Sequence, residues 1–354
     1  VDVTYSVKRL SQVVSRVLTE NVHIRIEGRA GRITLNKPKA LNALDHDMVI
    51  AIKAALDAWA DDTAVALVIV DGAGDRAFCA GADLKRMHAS AAEGDYSAGH
   101  AFFRDEYAMN QAIADFPKPY VAIMDGIVMG GGAGLSVHGS HRIVTERTLF
   151  TMPECGIGLV PDVGVSRFLA TAPGFIGEYV GLTGLRLTGG EAIQAGFAGL
   201  YVPSSKLSDL IQTLCSTGEV ASVYDFESEP DVTLFSVHQT AIDRCFSKES
   251  VAAIVAALEA EDSDFGRDTA ALIRKGSPLS LSATLDILRT VRKEPSVERA
   301  LAEELKFTHR AQEFGDFQEG IRAVVIDKDR NPRWPDTIES LDPERVARMR
   351  AELG

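Results

Sequence analysis

Cysteine, basic charge and long apolar segments are all scarce in this chain. Four cysteines occur in 354 residues, Cys79, Cys155, Cys215 and Cys245, and none forms a Cys-x-x-Cys pair. Such spacing argues against a structural zinc site and against a disulfide framework, and it fits a reducing compartment. Apolar runs such as Ala64–Val70 fall far short of the roughly 18 residues that a bilayer-spanning helix needs. Lysine and arginine number 37 against 50 acidic residues, a formal net charge of −13. The basic footprint of a nucleic-acid-binding protein is therefore missing. An anionic ligand has to be met by a local patch or by aimed backbone N–H groups. No Gly-x-Ser-x-Gly elbow offers a serine nucleophile. Neither a dinucleotide fingerprint nor a phosphate loop ending in Gly-Lys-Ser/Thr occurs. The first 20 residues lack the apolar centre of a signal peptide, so a cytoplasmic or organelle-matrix location is expected, the cytoplasm first.

What is present is ordinary globular composition, 46% hydrophobic and 25% charged. Val22, Ile24 and Ile26 alternate with His23, Arg25 and Glu27, the period of a strand with one wet face. A turn over Gly28–Gly31 and a partner strand over Arg32–Leu35 follow. Asp45 is placed to cap a helix with Val49, Ile52, Leu56 and Trp59 on one stripe. Ala64–Val70 and Tyr120–Met124 read as strands buried on both faces. Ile143–Val144 and Leu149–Thr151 are shorter candidates. Ser216–Val232 reads as an exposed acidic loop. Beyond it the pattern predicts helices near 235–246, 248–260, 264–275, 280–292 and 297–313. The pattern predicts an α/β core over 21–203, an N-terminal extension over 1–20 and a helical region over 204–354.

Three loops carry residue types suited to chemistry. Ala80-Gly81-Ala82-Asp83 follows a buried strand, and its small side chains let a ligand approach the backbone. A plain strand-to-helix loop capped by Asp83 is the structural alternative. Gly130-Gly131-Gly132-Ala133-Gly134 follows a second strand and opens a helix, where uncovered N–H groups favour negative charge. Tight helix packing would also explain those glycines. An N–H from each loop, those of Ala82 and Gly131, can converge on one carbonyl oxygen as an oxyanion hole. The third loop holds Glu154 and Asp162 among glycines and prolines. Carboxylates on rigid turns suit acid–base or nucleophilic work, whereas helix capping is the plainer role for Asp162. Glu106 falls on a helix, where a surface salt bridge is the simple reading. His138 and His141 lack the neighbours of a metal site, and no histidine is placed to activate Cys79 or Cys155.

Taken together, Leu35–Leu44, Ala80-Gly81-Ala82-Asp83-Leu84 and Lys118-Pro119 before the glycine run resemble the enoyl-CoA hydratase/isomerase (crotonase) superfamily. Phe102–Tyr107, Met129–Gly139, Met152–Glu154 leading to Pro161–Gly164, and Asp316–Asp329 are most similar to its 3-hydroxyisobutyryl-CoA hydrolase branch. The resemblance implies an α/β crotonase-like core of repeated ββα units beside a helical C-terminal region. It implies an acyl-CoA substrate, no other cofactor, no metal, and a trimer-type homo-oligomer. The thioester oxygen would lie between the N–H groups of Ala82 and Gly131, with Glu154 and Asp162 catalytic and Glu106 and Gly130 at the acyl group. Ala80 and Asp83 would line the substrate. Lys37, Lys39 and Lys85 are candidate contacts for the CoA phosphates, with plain solvation the simpler reading of exposed lysines. Hydratases of the superfamily carry a glutamate where this chain has Gly134 and a glycine where it has Asp162. That exchange moves a carboxylate toward the thioester end and implies hydrolysis of 3-hydroxyisobutyryl-CoA, a step of valine breakdown. An enoyl-CoA hydratase or isomerase is the alternative.

Overall fold

The computed structural model describes residues 20–231 and 234–353, so all but the last residue of the N-terminal extension lies outside the described residues. Two compact units interleave along the chain. One comprises Val1–Ala82, Asp105–Phe150 and Leu187–Asp231; the other comprises Asp83–Arg104, Thr151–Arg186 and Val232–Gly354.

Among the described residues the first unit is built on ten strands: β1 (Val22–Glu27), β2 (Ala30–Leu35), β3 (Leu67–Gly72), β4 (Ala77–Cys79), β5 (Tyr120–Met124), β6 (Ile127–Met129), β7 (His141–Val144), β8 (Leu149–Thr151), β9 (Leu187–Thr188) and β10 (Leu200–Tyr201). A six-stranded sheet runs β1-β2-β3-β5-β7-β10, and a four-stranded sheet runs β4-β6-β8-β9. β1 and β2 are antiparallel with Ile24 opposite Ile33. β2, β3, β5, β7 and β10 are mutually parallel where they pair. The pairs β3/β4, β5/β6 and β7/β8 each send their first strand to the large sheet and their second to the small one. This alternation is the repeated strand–strand unit expected of the crotonase fold.

Local chemistry explains the boundaries. Asp45 caps the helix His46–Trp59 by accepting the Met48 N–H at 3.0 Å, and the stripe Val49, Ile52, Leu56 and Trp59 is buried. β2 begins at Ala30 rather than Arg32, because Gly31 belongs to the strand and not to the turn. A Cβ on Gly31 would lie 2.6 Å from the Trp59 ring. The strand expected over Ala64–Val70 instead starts at Leu67 and runs on to Gly72, in register with β2 to Leu35. Val65 precedes it in a turn, its N–H on the Asp62 carbonyl. Apolar residues of β2, β3, β5 and β7 pack with Leu207, Leu210 and Leu214 of the helix Leu207–Thr217. The acidic stretch 216–232 is not a plain exposed loop. Val220, Val223 and Phe226, three apart on a 3-10 turn, turn inward onto the same core.

The second unit is helical. Its long helices span Leu234–Phe246, Val251–Glu259, Asp264–Ile273, Pro278–Lys293 and Val297–Ala311, close to the stretches the sequence predicts. Serine supplies the start signal four times: Ser250, Ser263, Ser277 and Ser296 each accept the N–H three residues on. Among the described residues no helix is long and apolar enough to cross a membrane.

Candidate active site

In the first unit, the two small-residue loops are brought side by side. β4 and β6 pair in parallel, which carries Gly81 past the start of the glycine run. Gly81 has φ +94°, and a Cβ there would sit 3.4 Å from the Met129 carbonyl and 3.9 Å from the Gly131 nitrogen. Leu44 pins this loop from the other side, its N–H on the Gly81 carbonyl at 2.8 Å and its backbone bridging Ala82. Gly131 is the first residue of the helix Gly131–Ser136, where an N–H has no intrahelical acceptor. Gly130 before it has φ 51° and ψ −120°, a conformation suited to glycine.

Glu106 belongs to the helix Ser97–Ala114 and is only 2% exposed, so it is a buried carboxylate and not a surface one. Its carboxyl lies against the glycine run: a Cβ on Gly131 would be 2.5 Å from Glu106 Oε1 and 3.1 Å from Leu44 Cδ1. The helix is tied down one residue earlier by Asp105, whose Oδ2 lies 2.7 Å from His46 Nε2. Gly132 serves packing as well, since a Cβ there would meet the Cys79 carbonyl at 2.2 Å.

The motif residues upstream are structural supports. Leu41 and Asn42 have φ 52° and 56°, and the Asn42 amide donates to the carbonyls of Ala73 and Ala77 at 3.0 and 2.8 Å. Lys118 donates to the carbonyls of Trp59 and Asp62. Lys37 reaches Asp45 Oδ2 at 3.1 Å, so its ammonium helps hold a helix cap. Lys39 and Lys85 are exposed, and Ala80, Ala82 and Asp83 are half-buried. The capping alternative for Asp83 amounts to a long contact, 3.5 Å from its Oδ1 to the Lys85 N–H.

In the second unit, Glu154 opens the 3-10 turn Glu154–Ile157 and is 5% exposed. The turn is anchored on three sides. The Cys155 carbonyl accepts the Ser277 N–H at 2.8 Å, and the Cys155 Sγ lies 3.3 Å from Thr284 Oγ1. Gly158, at φ +74°, lies so close to Asp316 that a Cβ would be 2.5 Å from its main chain. A Cβ on Gly320 would fall 2.0 Å from the Ile157 carbonyl. Asp316 is in turn held by Ser277 Oγ at 2.6 Å and by Arg345 at 3.1 Å. The distal motif Asp316–Asp329 thus contributes its first five residues as a buttress for the Glu154 turn.

Asp162 is 4% exposed and stands at the start of a second turn, two residues before the cap of helix Val165–Thr171. The helix-capping role offered for it is overturned. The Gly164 and Ser166 N–H groups at that helix start go to Glu304, at 2.7 and 3.0 Å. Burial, and then the charge of Asp162, push the Glu304 carboxyl up to about 8. Nothing in the local sequence singles Glu304 out; it lies in a helix of mixed charge far along the chain. Burial first, and then nearby carboxylate charge, push the thiols of Cys79 and Cys155 up to about 12, against any nucleophilic role. Among the described residues no group of three or more His, Cys, Asp or Glu is placed to hold a metal ion.

Paired ββ repeats and a backbone cradle at a glycine-opened helix define the class. The chain belongs to the enoyl-CoA hydratase/isomerase family, whose model matches residues 30–349. It is 42% identical to a probable 3-hydroxyisobutyryl-CoA hydrolase of Arabidopsis thaliana, over 89% of this chain and 87% of that protein. It is 41% identical to the mitochondrial 3-hydroxyisobutyryl-CoA hydrolase of Rattus norvegicus, over 99% and 95% of the two chains. Among solved structures it is similar to an enoyl-CoA hydratase from Rhodobacter sphaeroides, 47% identical, with a TM-score of 0.88 over 94% of this chain and 98% of that one. A carnitinyl-CoA dehydratase from Mycobacterium thermoresistibile, 39% identical, gives a TM-score of 0.91 over 95% and 97%. The rat relative is described as mitochondrial, so the cytoplasmic expectation finds no support there.

Proposed function

We propose that the chain is an acyl-CoA thioester hydrolase that converts 3-hydroxyisobutyryl-CoA and water to 3-hydroxyisobutyrate and CoA, a step of valine breakdown. The observation that carries this reading is Asp162, a buried carboxylate on a braced turn, together with the absence of any carboxylate at Gly134. Hydration of a β-carbon needs two carboxylates around one water, and glycine at 134 removes one of them. The relatives named as hydrolases match this chain over most of its length.

In the proposed reaction the N–H groups of Ala82 and Gly131 hold the thioester oxygen as it gains charge. Loss of one such donor elsewhere costs about 10²–10³ in rate. Glu154 takes a proton from water, whose oxygen bonds to the carbonyl carbon; alternatively its carboxylate attacks first and the resulting anhydride is hydrolysed. In the first route the C–S bond breaks as the tetrahedral intermediate collapses, in the second it breaks as the anhydride forms, and in both the CoA sulfur leaves with a proton. Asp162 orients the substrate hydroxyl or the water, and Glu106 shapes the acyl side of the cradle beside Gly130. Ala80, Asp83, Lys39 and Lys85 flank the CoA. Hydrolysis involves no net redox change, so no cofactor is needed beyond the CoA carried by the substrate.

A hydratase reading is favoured by one observation, the 47% identity to a structure described as an enoyl-CoA hydratase. Thiol release from 3-hydroxyisobutyryl-CoA, followed beside crotonyl-CoA hydration, separates the two. The expected result is thiol release that Glu154→Gln lowers by at least about 10³-fold, near the upper range for a lost acid–base group. Crotonyl-CoA hydration without thiol release overturns the hydrolase reading.

A further inference from the structure

Asp162 stands on an unusual support. Val163 and Gly164 both adopt left-handed backbone, φ 56° and 78°, and the Val165 N–H closes the turn on the Asp162 carbonyl at 3.0 Å. A buried β-branched residue in that region is costly, on the order of 1–3 kcal/mol, and persists only where its surroundings enforce it. One group that holds the turn is Glu304, which comes from the helix Val297–Ala311 and is fully buried. Its Oε2 accepts the Gly164 N–H and its Oε1 the Ser166 N–H.

The neighbouring residue shows what is special here. Glu303 is paired with Arg299, Lys306 and Arg350 at 2.8–3.0 Å, an ordinary ionic role. Three helices pack against this one: Val165–Thr171, Pro278–Lys293 and Pro343–Arg350. Their basic side chains lie elsewhere: Arg167 over the Phe168 ring, Arg289 to the Lys248 and Glu249 carbonyls, Arg292 to Glu178, Arg345 to Asp316, Arg348 over the Phe314 ring and Arg350 to Glu303, with Lys293 exposed. Asp162 is the charged group that acts on Glu304.

We propose that Glu304 is a positioning residue for Asp162: its buried carboxyl group grips the main chain of the Asp162–Ser166 turn and sets where the Asp162 carboxylate is held. Its kinetic consequence rests on the hydrolase reading, in which Asp162 orients the reactants. The geometry it fixes does not.

The test uses Glu304→Gln, which keeps volume and one acceptor, with two readouts. In thiol release, kcat falls about 10–100-fold while KM stays within about threefold, as expected when an orienting group is displaced. In protein carrying ¹³C-labelled aspartate, the Asp162 carboxyl carbon is assigned with Asp162→Asn and titrated. The wild-type signal carries a second inflection near pH 8, where Glu304 ionises, and Glu304→Gln removes it. An identical Asp162 titration in both proteins, with kcat within twofold, overturns the proposal. So does a wild-type signal with a single inflection across the whole accessible pH range, which decides the matter even if the variant does not fold. Wild-type protein that releases no thiol but shows the linked inflection sinks the hydrolase reading and leaves the positioning role standing.

Discussion

The glycine run of the first unit and the Glu154–Gly164 segment of the second are both rich in glycine, and they use it in opposite ways. At Gly131 the proposed working atom is the backbone N–H itself. The missing side chain makes room for Glu106 and Leu44 against the main chain, and the N–H is left at a helix start. At Gly158 and Gly164 the glycines carry no chemistry. They take left-handed turns that bring two carboxylate-bearing residues, Glu154 and Asp162, into place. In the proposed reaction one region would make a charge-stabilising cradle out of peptide groups, while the other aims side chains by bending the chain around them. Substitution of glycine therefore has to fail differently in the two regions.

The largest effect is expected at the cradle. In Gly131→Ala the new methyl meets Glu106 Oε1 and Leu44 Cδ1, both buried side-chain ends, so one of these side chains or the loop has to shift. A displaced N–H no longer fits the developing oxyanion, and kcat/KM for thioester hydrolysis falls about 10²–10³-fold. Thermal unfolding should move far less than activity does. Unchanged activity would break the contrast, because it would mean that the Gly131 N–H is not used.

At Gly158 the order reverses. Gly158→Ala has to place a Cβ on a residue at φ +74°, and that atom meets the Asp316 main chain. Left-handed strain and overpacking together predict a loss of roughly 2–4 kcal/mol in stability. Urea unfolding measures it, and the remaining folded fraction should keep much of its turnover. A variant of wild-type stability but without activity would show that the Glu154 turn is as intolerant of shift as the cradle.

Much of this was legible in the sequence where a local rule acts alone. The Asp45 cap, the Val49–Trp59 stripe and the serine-started helices of the second unit follow from spacing. Of the ββ pairs, β3, β5, β7 and β8 stand out in the sequence, whereas β4 and β6, three residues each, are too short to show a period and read as loop, and the ends of β3 are misplaced. Register with a neighbour, as between β2 and β3, decides where a strand stops, and that is not a local property. The loops bearing Ala82, Gly131, Glu154 and Asp162 could be picked out because glycine and proline mark them. Glu106 was nominated only through the resemblance, since a glutamate on a helix looks like surface until the burial is known. Glu304 was invisible, for its partners are the backbone of a turn 138–140 residues away. The same holds for the grip of Asp316 on Ser277 and Arg345.

The smallest effect is expected at the two thiols, which make the two regions comparable once more. Cys79 lies beside the cradle and Cys155 beside the Glu154 turn, and both are fully buried. Burial dominates in raising each to about 12, and a local carboxylate adds to it, Glu106 for Cys79 and Glu154 for Cys155. At pH 8 a thiol of that acidity is ionised in only about one molecule in 10⁴. Iodoacetamide at pH 8 should label neither residue in the native protein, should leave thioester hydrolysis unchanged, and should label both after unfolding. Labelling of Cys155 alone, with parallel loss of activity, would mean that the Glu154 turn opens to solvent while the cradle stays closed. The two regions would then differ in motion as well as in the use they make of glycine.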